Sequence, residues 1–159
     1  MPKSIRSPRR DDQELRAQLH RAAREHVATA MAAGYYIEAV AVLDSMISDR
    51  LEDLLGMHKD QVAMNSLGQL AQLSRSMDPD TFSELAQRVL EWAERRNTVV
   101  HQMVKVGPTY TATWAERISQ ARTAAEAGLE LLDAVDQAVS IYEHGEAGTP
   151  DGGRASQTD

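Results

Sequence analysis

A chain of 159 residues, 42% hydrophobic and 26% charged, is long enough for one domain with a core of its own. It holds no cysteine, which excludes disulfides and thiolate metal sites, and its net charge of -7 argues against a protein that coats nucleic acid through a basic face. Aromatic residues make up only 4% beside abundant Ala and Leu, a balance that favours helices over a β-sandwich.

Residues 1–10 read as a flexible basic arm carrying Lys3, Arg6, Arg9 and Arg10, which leaves 13 basic against 24 acidic residues in the rest of the chain. No apolar h-region follows the arm, so no secretory signal is expected. A helical domain is expected over 11–144, and 145–159, rich in Gly, Thr, Asp and Ser, reads as a disordered tail. The first helix is expected over 11–33, closed by a break or kink at Gly34. The second, over 35–55, places Tyr36, Val40, Leu43, Ile47, Leu51 and Leu54 at three-to-four spacing, with Gly56 just past its end. On the same helix Asp44, Asp49, Arg50, Glu52 and Asp53 read as a solvated charged face.

A weaker helix over 61–75 rests on Leu67, Leu70 and Leu73, and Asp78-Pro79-Asp80 reads as a break. Thr81-Phe82-Ser83-Glu84 matches a capping box with Thr81 as N-cap, opening a fourth helix that runs to 105 before Gly107-Pro108. Thr113-Trp114-Ala115-Glu116 is a second box. It opens a fifth helix to 142 with Trp114, Ile118, Ala121, Ala125, Leu132, Val135 and Val139 on one face. The expected fold is all-α, an antiparallel helical bundle of four long helices and one shorter helix. No apolar run approaches the roughly 18–20 residues that cross a bilayer, so a soluble cytoplasmic protein without membrane contact is expected.

The fourth helix carries the chemistry. Leu85, Val89, Trp92, position 96, Val99 and Met103 recur at spacings of four and three, and every member is apolar except Arg96. A guanidinium on a buried stripe is costly unless it is paired or reaches water, and such exceptions concentrate at functional sites. Asn97 and His101 stand one above the other on the helix. Arg96 lies about 140° around the helix from His101 and about 7.5 Å along it. Glu38 reads as a surface carboxylate, with pairing to Arg96 as the alternative. Trp92 and Trp114 read as core rather than base-stacking residues. His20 and His26 have a poor spacing for one metal, and no metal or nucleotide-cofactor motif is present.

The segment Glu94-Arg95-Arg96-Asn97-Thr98-Val99-Val100-His101 resembles the Arg-x4-His signature of HEPN domains, helical proteins that often act as metal-independent ribonucleases. The helix start Tyr35-Tyr36-Ile37-Glu38-Ala39-Val40 and the size of the bundle agree with that resemblance. It implies a HEPN-like fold, an endoribonuclease of the toxin or phage-defence type, and a homodimer whose Arg and His residues meet at a cleft. Arg96, Asn97 and His101 would be catalytic and Arg95 and Lys105 substrate-binding, with RNA as substrate, no cofactor, and a protein antitoxin or regulatory partner. Some such proteins carry a nucleotide-accepting Tyr two residues after the His; here that position is Met103, so the resemblance does not extend to that modification. The second function to be weighed is a non-catalytic HEPN-like dimer that binds RNA or a protein partner, which the acidic balance of the chain favours.

Overall fold

The structure, a computed structural model, describes residues 10–56 and 65–147. Five helices make up nearly all of it: α1 (Arg10–Ala33), α2 (Tyr36–Leu54), α3 (Leu67–Met77), α4 (Pro79–His101) and α5 (Trp114–Ala147). No β-strand occurs among the described residues, only an isolated bridge between Gly107 and Tyr110. No helix among them is long and apolar enough to cross a membrane. The expected arm, apart from Arg10, and the tail beyond Ala147 lie outside the described residues. The start of the expected tail is helical instead, because Gly145 stays out of the positive-φ region that ends a helix.

Local chemistry sets the boundaries. Gly34 adopts φ 80, and its N–H donates to Met31 O while Tyr35 N–H donates to Ala30 O, the paired bonds that close a helix through a left-handed residue. Gly56 ends α2 in the same region at φ 63. The capping box at Thr113 and Glu116 forms as expected. The one expected at Thr81 does not: Asp78 is the N-cap, its Oδ1 accepting from Thr81 N, and Pro79 takes the first helical position. Proline suits that position because its missing N–H has no partner there anyway, so the expected break falls at the single extended residue Asp78, which ends α3 and starts α4. At α3 the cap is Ser66 with Gln69, and the helix begins at Leu67. The earlier part of the expected segment, 61–64, lies outside the described residues.

Helix directions follow from residue pairs. α1 runs against α2, from Arg16 beside Asp53 to His26 beside Glu38. α4 runs against α5, from Phe82 tilted against the Tyr142 ring to Trp92 at Ala124. α2 and α5, however, run parallel: Leu43 lies at Gly128 and Arg50 at Asp136. The bundle is therefore not uniformly antiparallel. α3 runs against α4, with Gly68 beside Leu90 and Arg75 beside Gln87, and so parallel to α2.

The core is built from Leu43, Ile47 and Leu51 of α2, Leu67 and Leu70 of α3, Phe82 and Val89 of α4, and Leu132, Val135 and Val139 of α5. Trp92 is buried and its indole N–H donates to Ala124 O at 2.8 Å, so the ring lies directly on the α5 backbone. Gly128 makes room for it: a Cβ there would stand 2.8 Å from Trp92 Cζ2 and 3.0 Å from Leu43 Cδ1. Gly128→Ala should therefore destabilise the protein by about 1–3 kcal/mol in denaturant titrations, although alanine is the better helix former. An unchanged or raised midpoint would contradict this packing. Trp114, expected in the core, is 60% exposed, because it occupies the first position of α5 beyond the end of its partners.

α1 is attached mainly by charge. Among the described side chains of this helix only Val27 and Ala30 are buried. Arg16 meets Asp49 and Asp53, His20 meets Asp49 at 2.7 Å, and Arg24 meets Asp133 and Asp136. Arg50 joins Asp53 to Asp136. Asp49, Arg50 and Asp53 thus form an inter-helix network where a solvated face was expected. Their spacing beside the apolar stripe of α2 puts them at the edge of the core, where α1 and α5 supply partners. Hydrogen bonding from His20, with Arg16 and Arg50 nearby, holds the Asp49 carboxyl below its usual range. A lowered folded value means that this stabilisation is present above the unfolded pKa of about 3.9 and is lost as pH falls through the folded value. Asp49→Asn should therefore narrow the gap in melting temperature between neutral and acid pH. A gap as wide as that of the parent protein would exclude Asp49 as a contributor.

Candidate functional site

Arg96 lies at the edge of the core, its side chain 19% exposed. Its neighbours on the stripe, Leu85, Val89, Trp92 and Val99, are buried, so helical periodicity carries the guanidinium toward α2. There it meets Asp44, with Nη2 3.0 Å from Oδ1, and on its own helix Nη1 donates to Asn97 Oδ1 at 2.6 Å. The expected alternative partner, Glu38, is elsewhere: it is exposed and bonded to His26 at 2.6 Å. Glu38 sits nearly two turns before Asp44 on α2, and because α2 and α4 run in opposite directions that offset carries it away from Arg96.

The Arg96–Asp44 contact is one of charge more than of aligned hydrogen bonding. Asp44 Oδ1 and Arg96 Nε are buried and meet no hydrogen-bond partner. Burial pushes the Asp44 carboxyl above its usual value, and the nearby Arg96 charge pulls part of that back. Asp44 thus lies partly buried against Arg96 and not on the expected solvated face. The signal against that expectation was present, since it stands four residues after Val40 and three before Ile47, on the α2 stripe itself.

Arg96 and Asn97 stand at one end of a groove of about 480 Å³ between α4 and the start of α3. Leu67, Gly68, Leu90 and Ala93 form its apolar part; Gln87, Glu91 and Glu94 give it a polar rim. His101 is not among the residues lining it. It is exposed at the last position of α4, one turn beyond Asn97. The fold thus brings Arg96 and Asn97 together and leaves His101 accessible but apart. Arg95 is exposed on the polar side of α4, and Lys105 is exposed in the loop that follows.

That loop begins earlier than expected, since α4 ends at His101 and does not continue to 105. Arg117 of α5 is the reason. Its guanidinium is buried and donates to the carbonyls of Gln102, Met103 and Lys105 through Nη1 and to Ala112 O through Nε. The Tyr110 ring lies 4.5 Å from its centre. These carbonyls are turned toward the cation instead of continuing the helix, which places His101 at the rim of the bundle. Arg117 escaped the sequence reading, yet it stands four residues before Ala121 on the buried face of α5, the same anomaly that singles out Arg96.

Among the described residues no group of three or more His, Cys, Asp or Glu side chains is placed to hold a metal ion. Comparison with known proteins finds no matching family model, no matching curated protein and no matching solved structure.

Proposed function

We propose that this protein is a HEPN-type endoribonuclease that cleaves RNA by attack of a ribose 2′-hydroxyl on the adjacent phosphorus. The observation that carries the reading is Arg96, a cation on an otherwise apolar stripe, held by Asp44 and Asn97 at the mouth of a groove. Arg96 binds the scissile phosphate and stabilises charge on the phosphorane. Asn97 orients the guanidinium, as its 2.6 Å bond allows. His101, an imidazole that can both accept and donate a proton, takes the 2′-hydroxyl proton or delivers one to the departing 5′-oxygen. The phosphorus–5′-oxygen bond breaks as the 2′-oxygen–phosphorus bond forms, leaving a 2′,3′-cyclic phosphate and a 5′-hydroxyl. Arg95 and Lys105 add charge along the RNA backbone.

Arg96 and His101 project in different directions from one helix, so the complete site in this reading is made by two chains. Exposed apolar side chains between the end of α4 and the start of α5 support an assembly: Val104 is 86%, Val106 81% and Trp114 60% exposed. A symmetric homodimer built on α4 and the loop after it would cover them, and its two His101 residues would divide the acid and base roles. Light scattering on the eluted protein should give about twice the 17.5 kDa of one chain; a monomer at tens of micromolar would remove the two-chain site. The same apolar surface favours one other reading, a non-catalytic HEPN-like dimer that binds RNA or a protein partner. Incubation with unstructured RNA in EDTA separates the two. Cyclic-phosphate ends support the nuclease, in the role of a toxin or phage-defence effector held in check by a protein antitoxin. Intact RNA across a range of sequences supports the binding module.

A further inference from the structure

The groove that opens at Arg96 and Asn97 extends back along α4 toward the first turn of α3, and the phosphate chemistry above leaves it unused. Its apolar part is formed by Leu67, Gly68 and Leu90. Gly68 faces Leu90 across it: a Cβ there would stand 3.7 Å from Leu90 Cδ2, in ordinary van der Waals contact. On the rim stand Glu91 and Glu94, both exposed. Glu91 already accepts a hydrogen bond from the Gln87 amide at 3.0 Å. The Glu94 carboxylate meets no hydrogen-bond or ion-pair partner among the described residues.

Charge decides what this groove takes. Two carboxylates repel a phosphate, so an RNA strand anchored at Arg96 does not run its next phosphate through it. The occupant must be apolar on its faces and rich in N–H donors at its edge, which is the chemistry of a nucleobase splayed out of a single strand. Among the four RNA bases only guanine presents two adjacent ring-edge donors, N1–H and N2–H, matched to the two oxygens of one carboxylate. Adenine and cytosine set an acceptor nitrogen beside their amino group, and uracil flanks its single N–H with carbonyls.

We propose that the α3–α4 groove is a guanine subsite. Glu94 receives the N1–H and N2–H edge, the base lies against Gly68 and Leu90, and the 3′-phosphate of the same guanosine reaches Arg96 and Asn97. The substrate is then RNA cut on the 3′ side of a guanosine. This rests on Arg96 and Asn97 holding a phosphate, as proposed above, and two separate measurements distinguish its failure from failure of the nuclease reading.

The first is binding. Backbone amide spectra of the full chain are recorded while guanosine 3′-monophosphate, and separately adenosine 3′-monophosphate, is added to millimolar concentration. Shifts at the Gly68 and Glu94 amides with the guanosine nucleotide, reduced by at least about tenfold in affinity in Glu94→Gln, are expected. The second is cleavage of DNA oligonucleotides that each contain one ribonucleotide: guanosine, inosine, adenosine, cytidine or uridine. Guanosine should be cut at least about tenfold faster than adenosine, cytidine or uridine. Inosine, which lacks the N2 amine, should fall between, and Glu94→Gln should bring the guanosine-to-adenosine rate ratio to about one. Groove amides that ignore both nucleotides, or respond equally to both, overturn the subsite whether or not RNA is cut. Guanosine-selective shifts without cleavage leave the subsite standing and remove the nuclease. Cleavage indifferent to the base, without groove shifts, does the reverse.

Discussion

His101→Ala should lower RNA cleavage by about 10²–10⁴-fold, the usual range for removing a positioned proton-transfer group, while leaving the melting temperature close to that of the parent protein. The ring is exposed at the end of α4, so little packing is lost with it. Arg95→Ala, one position before Arg96 and on the exposed side of the same helix, should change the rate far less. The measurement is a gel assay on unstructured RNA in EDTA with the three proteins purified identically. Equal cleavage by all three would identify a contaminating nuclease and end the assignment of His101. Selective loss in His101→Ala with an unchanged fold would tie the chemistry to that side chain.

Arg96→Met should cost both stability and activity, and the two losses should separate on a second substitution. The Arg96–Asp44 pair is partly buried, with side chains 19% and 31% exposed. Removing the cation leaves a desolvated carboxylate whose pKa burial already raises. A loss of about 1–3 kcal/mol is expected, below the 3–5 kcal/mol of a fully buried pair because water reaches this one. Asp44→Leu in the same chain removes the stranded charge and should recover most of that stability. Cleavage should remain lost in the double variant, because no cation is left for the phosphate. The sign of the pH effect follows from the raised carboxyl. In Arg96→Met the destabilisation is smallest at low pH, where Asp44 binds its proton, and grows as pH rises above the unfolded value of about 3.9. Urea denaturation at several pH values measures the first part, and the same RNA assay measures the second. If the double variant cleaves RNA as the parent does, Arg96 is a structural ion-pair partner and the site must be sought elsewhere.

The helices were legible in the sequence because their information is local. Apolar spacing in α2, α4 and α5 follows the helical repeat, Gly34 and Gly56 supply the left-handed residues that end a turn, and the Thr113–Glu116 box involves groups three residues apart. The anomaly of Arg96 was equally visible, since a cation on an apolar stripe is a conflict within one helix. Arg117 shows the same conflict and needed only the same test.

What the tertiary structure decided is which side chains meet. Asp44 and Glu38 stand on the same helix, and only the relative position of α2 and α4 selects Asp44 for Arg96 and leaves Glu38 to His26. The length of α4 was decided by a residue of α5, because Arg117 draws the carbonyls of Gln102, Met103 and Lys105 out of the helical pattern. The parallel pairing of α2 with α5 and the groove between α3 and α4 depend on where distant segments come to rest. Propensity, capping and periodicity act over a few residues and are written in order along the chain. Charge pairing, cavity shape and the exposure of Trp114 are properties of surfaces brought together from separate helices, and they exist only once the bundle has formed.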